Sequence, residues 1–489
     1  MLFNSFAFAV FLPVVFALYW KFFNKSLFYR NLFLLSVSYV FYGWWDWRFL
    51  SLLIISSFTD FFIGKKIGSL NDMQKQDMEM TSIKRKKKQW LLLSIITNIG
   101  ILSFFKYCNF FIDSFDALFS SFGISLPHYT LNIILPVGIS FYTFQTLSYT
   151  IDIYKGVLPP TKSWVQFFAF VGFFPQLVAG PIERAKNLLP QMAILHKPDY
   201  ESFRSALLLI AWGFFKKIMI ADRLAIYVDN VFGNIDAASG LPMLLGIIFF
   251  AFQLYLDFSA YSDIAIGAAR LFGINLSLNF NSPYLSKSFS NFWKRWHISL
   301  STWWQDYLYI PMGGNRKGNF RTKINLIIVF AISGLWHGAS WNFVIWGLLN
   351  ALFLIFFDKL LKAYKSRNFV ASISKSIFIF VCWALSLVFF RAVGLGSALD
   401  CFDNLGSNNI ANVVNFGLNV DELKFSFLLI AILMIKEIIW ERNYKSVQTK
   451  FFKLPLIWRW LFYVILVLSI VYLGQYGGDN ENAFIYFQF

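Results

Sequence analysis

Long apolar runs alternate along the chain with short polar interruptions, and the runs are long enough to be read by length rather than by amphipathic period. They cover approximately 5–20, 31–46, 48–64, 91–119 (one or two segments), 131–150, 166–180, 205–221, 242–270, 324–341, 342–358, 374–393, 425–440 and 457–474. About 20 apolar residues cross roughly 30 Å of hydrocarbon, so the pattern predicts an all-α polytopic integral membrane protein with about eleven to thirteen membrane segments. The run from Phe167 to Gly180 contains Pro175, which predicts a segment that enters and returns; broken backbone is tolerated at that depth where it lines a protein cavity. No internal repeat and no long Gly/Ser/Pro linker interrupts the pattern. It therefore predicts one transmembrane domain over 1–489, with N-terminal helices in 1–125, a core in 130–360 and C-terminal helices in 370–489.

Composition sharpens this picture. Of the 489 residues 57% are hydrophobic and only 14% charged, which removes an ordinary soluble domain from consideration. The 43 Lys and Arg against 26 Asp and Glu give a net charge of +17, which in a soluble chain would suggest nucleic acid. Here the charge sits in short loops, as cytoplasmic retention of basic residues demands, so no nucleic-acid partner is expected. The 65–88 loop carries Lys65, Lys66, Lys75 and Lys84 through Lys88, and the 441–453 loop carries Arg442, Lys445, Lys450 and Lys453; both are expected in the cytoplasm. The 394–423 loop, with Asp400, Asp403, Asp421 and Glu422, and the tail from Gly474 are expected outside. Rings crowd the segment ends, as in Tyr42 to Trp47, where they anchor at headgroup level. The first run lacks a basic leader and reads as a retained span. Cys108, Cys382 and Cys401 have no metal-ligand spacing and read as packing residues.

Chemistry narrows to the four histidines. His128 and His196 fall in loops, His297 follows a basic aromatic stretch, and His337 lies in an apolar run. An ionisable residue in hydrocarbon is costly, hence a functional candidate; by spacing alone His337 equally reads as a histidine bonded to a neighbouring helix. Burial disfavours imidazolium, so a histidine at that depth is expected to be a neutral base. From Gln253 to Lys323 the chain mixes Asp257, Asp263, Arg270, Lys294, Arg295, His297, Asp306, Arg316 and Lys323 with aromatics. Such a stretch predicts short helices dipping into the bilayer from the cytoplasmic side. Gly313 and Gly314 before Asn315 and Arg316 suit a plain turn better than a phosphate cradle. No Walker or dinucleotide fingerprint, no Gly-x-Ser-x-Gly elbow and no helical histidine pair for a metal occurs. If an acyl group moves here, the chemistry is activation of an acceptor hydroxyl by a histidine base.

The strings Phe292-Trp293-Lys294-Arg295-Trp296-His297-Ile298-Ser299-Leu300-Ser301-Thr302-Trp303, Asp306-Tyr307-Leu308-Tyr309-Ile310-Pro311 and Gly334-Leu335-Trp336-His337-Gly338-Ala339 resemble the membrane-bound O-acyltransferases (MBOAT). Within them they resemble the bacterial polysaccharide branch typified by alginate O-acetyltransferase. Supporting stretches run from Leu135 to Phe141, Phe174 to Ile182, Ala221 to Leu224, Asp257 to Asp263 and Phe484 to Phe489; Ala260 stands where relatives often have Gly. The resemblance implies a ring of helices around a thin core with a central tunnel in the bacterial cytoplasmic (inner) membrane. His337 and His297 are then the catalytic candidates, His297 toward the cytoplasmic mouth, with Asp306, Asn315, Arg316, Trp336 and Asp257 in donor-binding or supporting roles. It implies no bound cofactor and no metal; acetyl-CoA or another acyl thioester is the donor, and membrane lipid, an extracytoplasmic polysaccharide and an SGNH-type transferase are the partners. Peptidoglycan or a teichoic-type polymer is the alternative acceptor, and a lipid-linked sugar flippase or transporter is the reading from another class.

Overall fold

The computed structural model describes residues 1–75, 80–124, 130–364, 368–407, 413–476 and 484–485. Outside these lie His128, residues 76–79 and 408–412 of two predicted loops, and most of the tail, including the last four residues of the 484–489 motif. Every regular element among the described residues is helical. The chain forms two compact units: Met1–Leu208 with Ala265–Ser277, and Leu209–Ile264 with Leu278–Phe489.

The first unit contains α1 (Phe6–Leu18), α2 (Leu27–Asp46), α3 (Leu50–Lys75), α4 (Met80–Leu102), α5 (Cys108–Ser121), α6 (Ile139–Tyr154), α7 (Trp164–Gly172), α8 (Ala185–Leu188) and the start of α9 (Tyr200–Phe214). Ser5 caps α1 by accepting from the Phe8 amide, which satisfies an otherwise orphaned donor. Asp46 turns extended (φ −159°) and accepts from the Arg48 amide, so α2 and α3 remain two helices inside one helical stretch, Leu27–Gln74. The predicted segment 131–150 is helical only from Ile139, because Pro136 and left-handed Gly138 (φ 77°) precede it. The expected re-entrant segment stops as a helix at Gly172, and the chain through Arg184 is non-helical yet buried apart from a partly exposed Arg184. Its polar groups are met by side chains: Gln145 and Gln176 donate to the Phe170 carbonyl, and Ser38 Oγ accepts from the Phe174 amide. Between α3, α4 and α6, Asp60 accepts from Ser94 Oγ and from Asn98 Nδ2 (2.8 Å), while Asn98 Oδ1 accepts from Ser56 Oγ at 2.7 Å. Polar groups point inward there, and Phe6, Val10, Phe58 and Ile96 point outward.

The second unit contains the end of α9, α10 (Asp222–Gly233), most of α11 (Leu241–Leu271), α12 (Phe289–Trp293), α13 (Ile298–Trp304), α14 (Gly318–His337), α15 (Trp341–Ala363), α16 (Phe369–Arg391), α17 (Leu395–Leu405), α18 (Val420–Lys453) and α19 (Leu456–Leu473). The basic mixed stretch folds into the short helices its pattern predicted. Three expected loops are largely helix instead: α3 runs to Lys75 and α4 starts at Met80, α17 occupies part of 394–423, and α18 continues through 441–453. Lys, Glu, Gln and Arg are strong helix formers, so charge that leaves the bilayer need not end a helix. The Asn419 and Glu422 capping box starts α18.

Among the described residues, seven stretches are long and apolar enough to cross a membrane: Phe6–Phe23, Leu27–Gln74, Thr81–Ser121, Leu241–Leu271, Trp341–Ala363, Phe369–Arg391 and Leu456–Leu473. Two of these stretches each hold a pair of helices, and shorter helices such as α6 and α7, of 16 and 9 residues, add to them, in keeping with the expected eleven to thirteen membrane segments that include re-entrant ones. The 205–221 run ends in a π-helical turn, Phe215–Ala221, that buries Lys216 and Lys217. Helices α14 and α15 form a hairpin in near backbone contact. A Cβ on Gly334 would lie 2.1 Å from the Phe343 carbonyl oxygen, and one on Gly347 would lie 2.2 Å from that of Phe330, so glycine is required at both.

Candidate functional site

His337 is the last residue of α14, where Gly338 turns extended to end the helix. It thus sits at a helix terminus rather than in mid-run, and the hairpin glycines fix the height of that terminus against α15. Three aromatic rings meet its imidazole edge-to-face: Trp336 at 5.0 Å, Trp346 of α15 at 5.2 Å and Phe390 of α16 at 5.5 Å between centroids. Only 7% of His337 is exposed. The box excludes water while leaving an ionisable ring inside it.

His297 lies beside it, the two imidazole centroids 6.5 Å apart. Forty positions of sequence are closed by α13 and α14. His297 caps α13 with a left-handed backbone (φ 42°), one of two non-glycine residues with positive φ among those described. Such a conformation costs of order 1–3 kcal/mol and persists only where the surroundings over-determine it. They do: the Ile298 amide donates to the Asn279 carbonyl (2.9 Å), the Asn281 amide donates to the Arg295 carbonyl (3.0 Å), and Ser301 N–H returns to the His297 carbonyl (2.9 Å). The ring is 1% exposed, with Phe258 of α11 edge-on at 4.7 Å and Trp336 at 6.2 Å. His297 is outside the seven spanning stretches. Burial, and after it the facing His337, hold its imidazole well below the usual histidine range, so it is neutral at neutral pH.

The other expected site residues divide. Trp336 touches both histidines. Asp257 is one residue from Phe258 on α11, but its carboxylate engages Lys217 at 2.6 Å and the Ile485 amide at 2.6 Å. Lys217 also pairs with Asp222 at 2.8 Å and lies over the Phe484 ring. This buried cluster clasps the tail to the unit rather than joining the histidines. Asp306 is half-buried in the π-helical turn Gln305–Tyr309, and Asn315 and Arg316 are exposed on the turn before α14. That turn is closed by Arg316 N–H to the Gly313 carbonyl and held by Asn325 Nδ2 to the Gly314 carbonyl at 2.9 Å. No group of three His, Cys, Asp or Glu suited to a metal occurs among the described residues.

Sequence reasoning missed Asn279 and Lys217. Asn279 Oδ1 is 3.0 Å from His297 Nδ1 and accepts from Ser299 Oγ at 2.9 Å, while its Nδ2 donates to Ser262 Oγ at 3.1 Å. The available signals were an every-second-residue polar pattern, Asn275, Ser277, Asn279 and Asn281, and two lysines inside an apolar run.

A family profile described as MBOAT, membrane-bound O-acyltransferase family, matches residues 39–395. The chain is 38% identical over 441 residues to a probable alginate O-acetylase of Azotobacter vinelandii, covering 89% of this chain and 84% of that one. It is 36% identical to a probable alginate O-acetylase of Pseudomonas putida over 99% of both chains. It is also 36% identical to a peptidoglycan O-acetyltransferase of Helicobacter pylori over 84% of this chain and 81% of the relative. With two buried histidines side by side in an all-helical, multi-pass membrane protein and a profile match across most of its length, the chain belongs to the membrane-bound O-acyltransferase family and is an O-acyltransferase.

Proposed function

We propose that the protein moves an acetyl group from a cytoplasmic thioester, acetyl-CoA, toward a hydroxyl of an extracytoplasmic polysaccharide of the alginate type, in the bacterial cytoplasmic membrane. The observation that carries this reading is the His297 and His337 pair in its aromatic box. His337 is the base: it takes the proton of the acceptor hydroxyl as that oxygen attacks the thioester carbonyl. The tetrahedral intermediate then collapses, the carbon–sulfur bond breaks, and the thiolate leaves with the proton that His337 held. His297 positions donor or acceptor beside it, and a buried site raises the worth of each such contact. Asp306, Asn315, Arg316, Trp336 and Asp257 support donor binding or the shape of the site. The likeness to probable alginate O-acetylases along almost the full chain supports a polysaccharide acceptor. The likeness to a peptidoglycan O-acetyltransferase favours peptidoglycan as the second acceptor. The acceptor hydroxyl of this step belongs either to the polysaccharide itself or to an SGNH-type transferase outside the membrane that then passes the acetyl group to the polysaccharide, and the 65–88 and 441–453 regions face the cytoplasm.

The test is labelling of membrane glycan from radiolabelled acetyl-CoA. The wild type is expected to transfer label, and His337→Ala to lose it at equal protein level. Undiminished labelling by His337→Ala would remove His337 as the base. A mass spectrum of surface glycan from a deletion strain, lacking O-acetyl esters, names the acceptor.

A further inference from the structure

His297 can serve acyl transfer only if one ring nitrogen keeps a free electron pair at a fixed place, and its own backbone conformation does not decide which. Asn279 does. Its carbonyl oxygen has two electron pairs; one receives the Ser299 hydroxyl at 2.9 Å and the other faces His297 Nδ1 at 3.0 Å. Its Nδ2 is committed to Ser262 Oγ at 3.1 Å, so the amide is held in this orientation from the opposite side by α11. The same residue ties its backbone carbonyl to the Ile298 amide, which places the Asn279 side chain and the His297 ring on one rigid connection. Asn279 is itself 1% exposed, so no bulk water competes for these bonds.

We infer that Asn279 is a positioning residue for the acyl transfer: it holds His297 as the Nδ1–H tautomer and thereby makes Nε2 the nitrogen that accepts a hydrogen bond from the donor or acceptor that His297 positions beside His337. This rests on the acyl-transfer reading of the histidine pair. An amide does what a carboxylate does for histidine orientation in other bases, without lending negative charge. The consequence is a weakly basic imidazole. The ring also faces Phe258 from α11, Phe280 beside Asn279, Trp336 and the titratable His337 of α14. The charge on the partner at Nδ1 therefore sets how readily His297 takes a proton.

The experiment compares Asn279→Asp and Asn279→Leu with wild type, as full-length protein in membranes that carry the native acceptor, with radiolabelled acetyl-CoA as probe. Aspartate keeps an acceptor toward Nδ1 and toward Ser299 but supplies a charge; leucine keeps the volume and supplies no acceptor. Asn279→Leu is expected to lower kcat by about 10²-fold, the order for misplacing a group that positions the reactants. Asn279→Asp is expected to stay within about tenfold of wild type, with the acid limb of its pH profile raised by about one unit or more, because a neighbouring carboxylate favours imidazolium. A purely structural asparagine would leave that limb where it is. An unmoved limb, or a loss in Asn279→Asp as deep as in Asn279→Leu, overturns the assignment. Should Asn279→Asp fail to accumulate, Ser262→Ala frees the amide to rotate; kcat is then expected to fall several-fold at constant KM, and an unchanged kcat overturns the assignment equally. Absence of labelling in the wild type would count against the acyl-transfer reading itself, so the two failures are separable.

Discussion

At the scale of single residues, His297 combines a left-handed backbone, full burial and a neutral hydrogen-bond partner. Its lowered pKa means that the neutral, proton-accepting form exists at and well below the ordinary histidine value of about 6.5. The sign follows: lowering pH from 8 to 6 does not yet protonate it, so the labelling rate of the wild type should show no inflection near pH 6.5 from this residue. A clear half-maximum there would contradict a neutral His297. Lys217 makes the second argument at this scale. It is the cation between two buried carboxylates, Asp222 and Asp257, and removing one partner of a buried ionic group costs on the order of 3–5 kcal/mol. Lys217→Met is therefore expected to melt far below wild type in detergent, and adding Asp222→Asn to it should recover part of the loss; a melting point equal to wild type would show that the cluster is dispensable. The two histidines were readable as candidates because imidazole is rare and expensive in apolar sequence. Asn279 was not, since asparagine in a loop is common and its meaning lies in a 3.0 Å contact across 18 positions.

At the scale of elements, the α14 and α15 hairpin carries the chemistry because it fixes the end of α14 on which His337 stands. The approach is set by backbone against backbone at Gly334 and Gly347, so no side-chain rotation can absorb an added methyl. Gly347→Ala must push the helices apart, and a displacement of about 1 Å at reacting groups can cost on the order of 10²-fold in rate. A loss of labelling of that order is expected with a lowered melting point, whereas Gly100→Ala on α4, where an added Cβ meets nothing, should be neutral or stabilising by up to about 1 kcal/mol. Equal behaviour of the two variants would show that the close approach does not hold the site. Hydrophobic length located α1, α2, α11, α15, α16 and α19 within a few residues, and the start of α3. It did not separate helix from the buried, non-helical chain after Gly172, which is apolar without helix length, and it mistook the ends of α3 and α18 for loops because charge ends a membrane segment but not a helix.

At the scale of the molecule, the distribution of side chains is that of a protein in lipid: Asp60, Lys216, Lys217 and Asp257 are buried, while Trp458, Val467 and Tyr472 of α19 are exposed. Lipid tails replace water against those surfaces, and the cost of exposing them in water is what holds the chain in the bilayer. Which way it faces decides whether a cytoplasmic thioester can reach the histidines, and loop charge is the feature that orients it. Within the second unit, Lys450 and Lys453 close α18, and Asp400 is exposed on α17 near Asp403 in a stretch, 394–423, whose sequence holds no Lys or Arg. Under the proposed orientation, retention of basic residues in the cytoplasm is expected to put Lys453 inside and Asp400 outside. In a background without Cys108, Cys382 and Cys401, a membrane-impermeant maleimide added to intact cells should label Asp400→Cys and spare Lys453→Cys until the membrane is opened. The reverse pattern would put the thioester on the far side from the proposed mouth and remove acetyl-CoA as the donor, while leaving the histidine pair and its asparagine untouched.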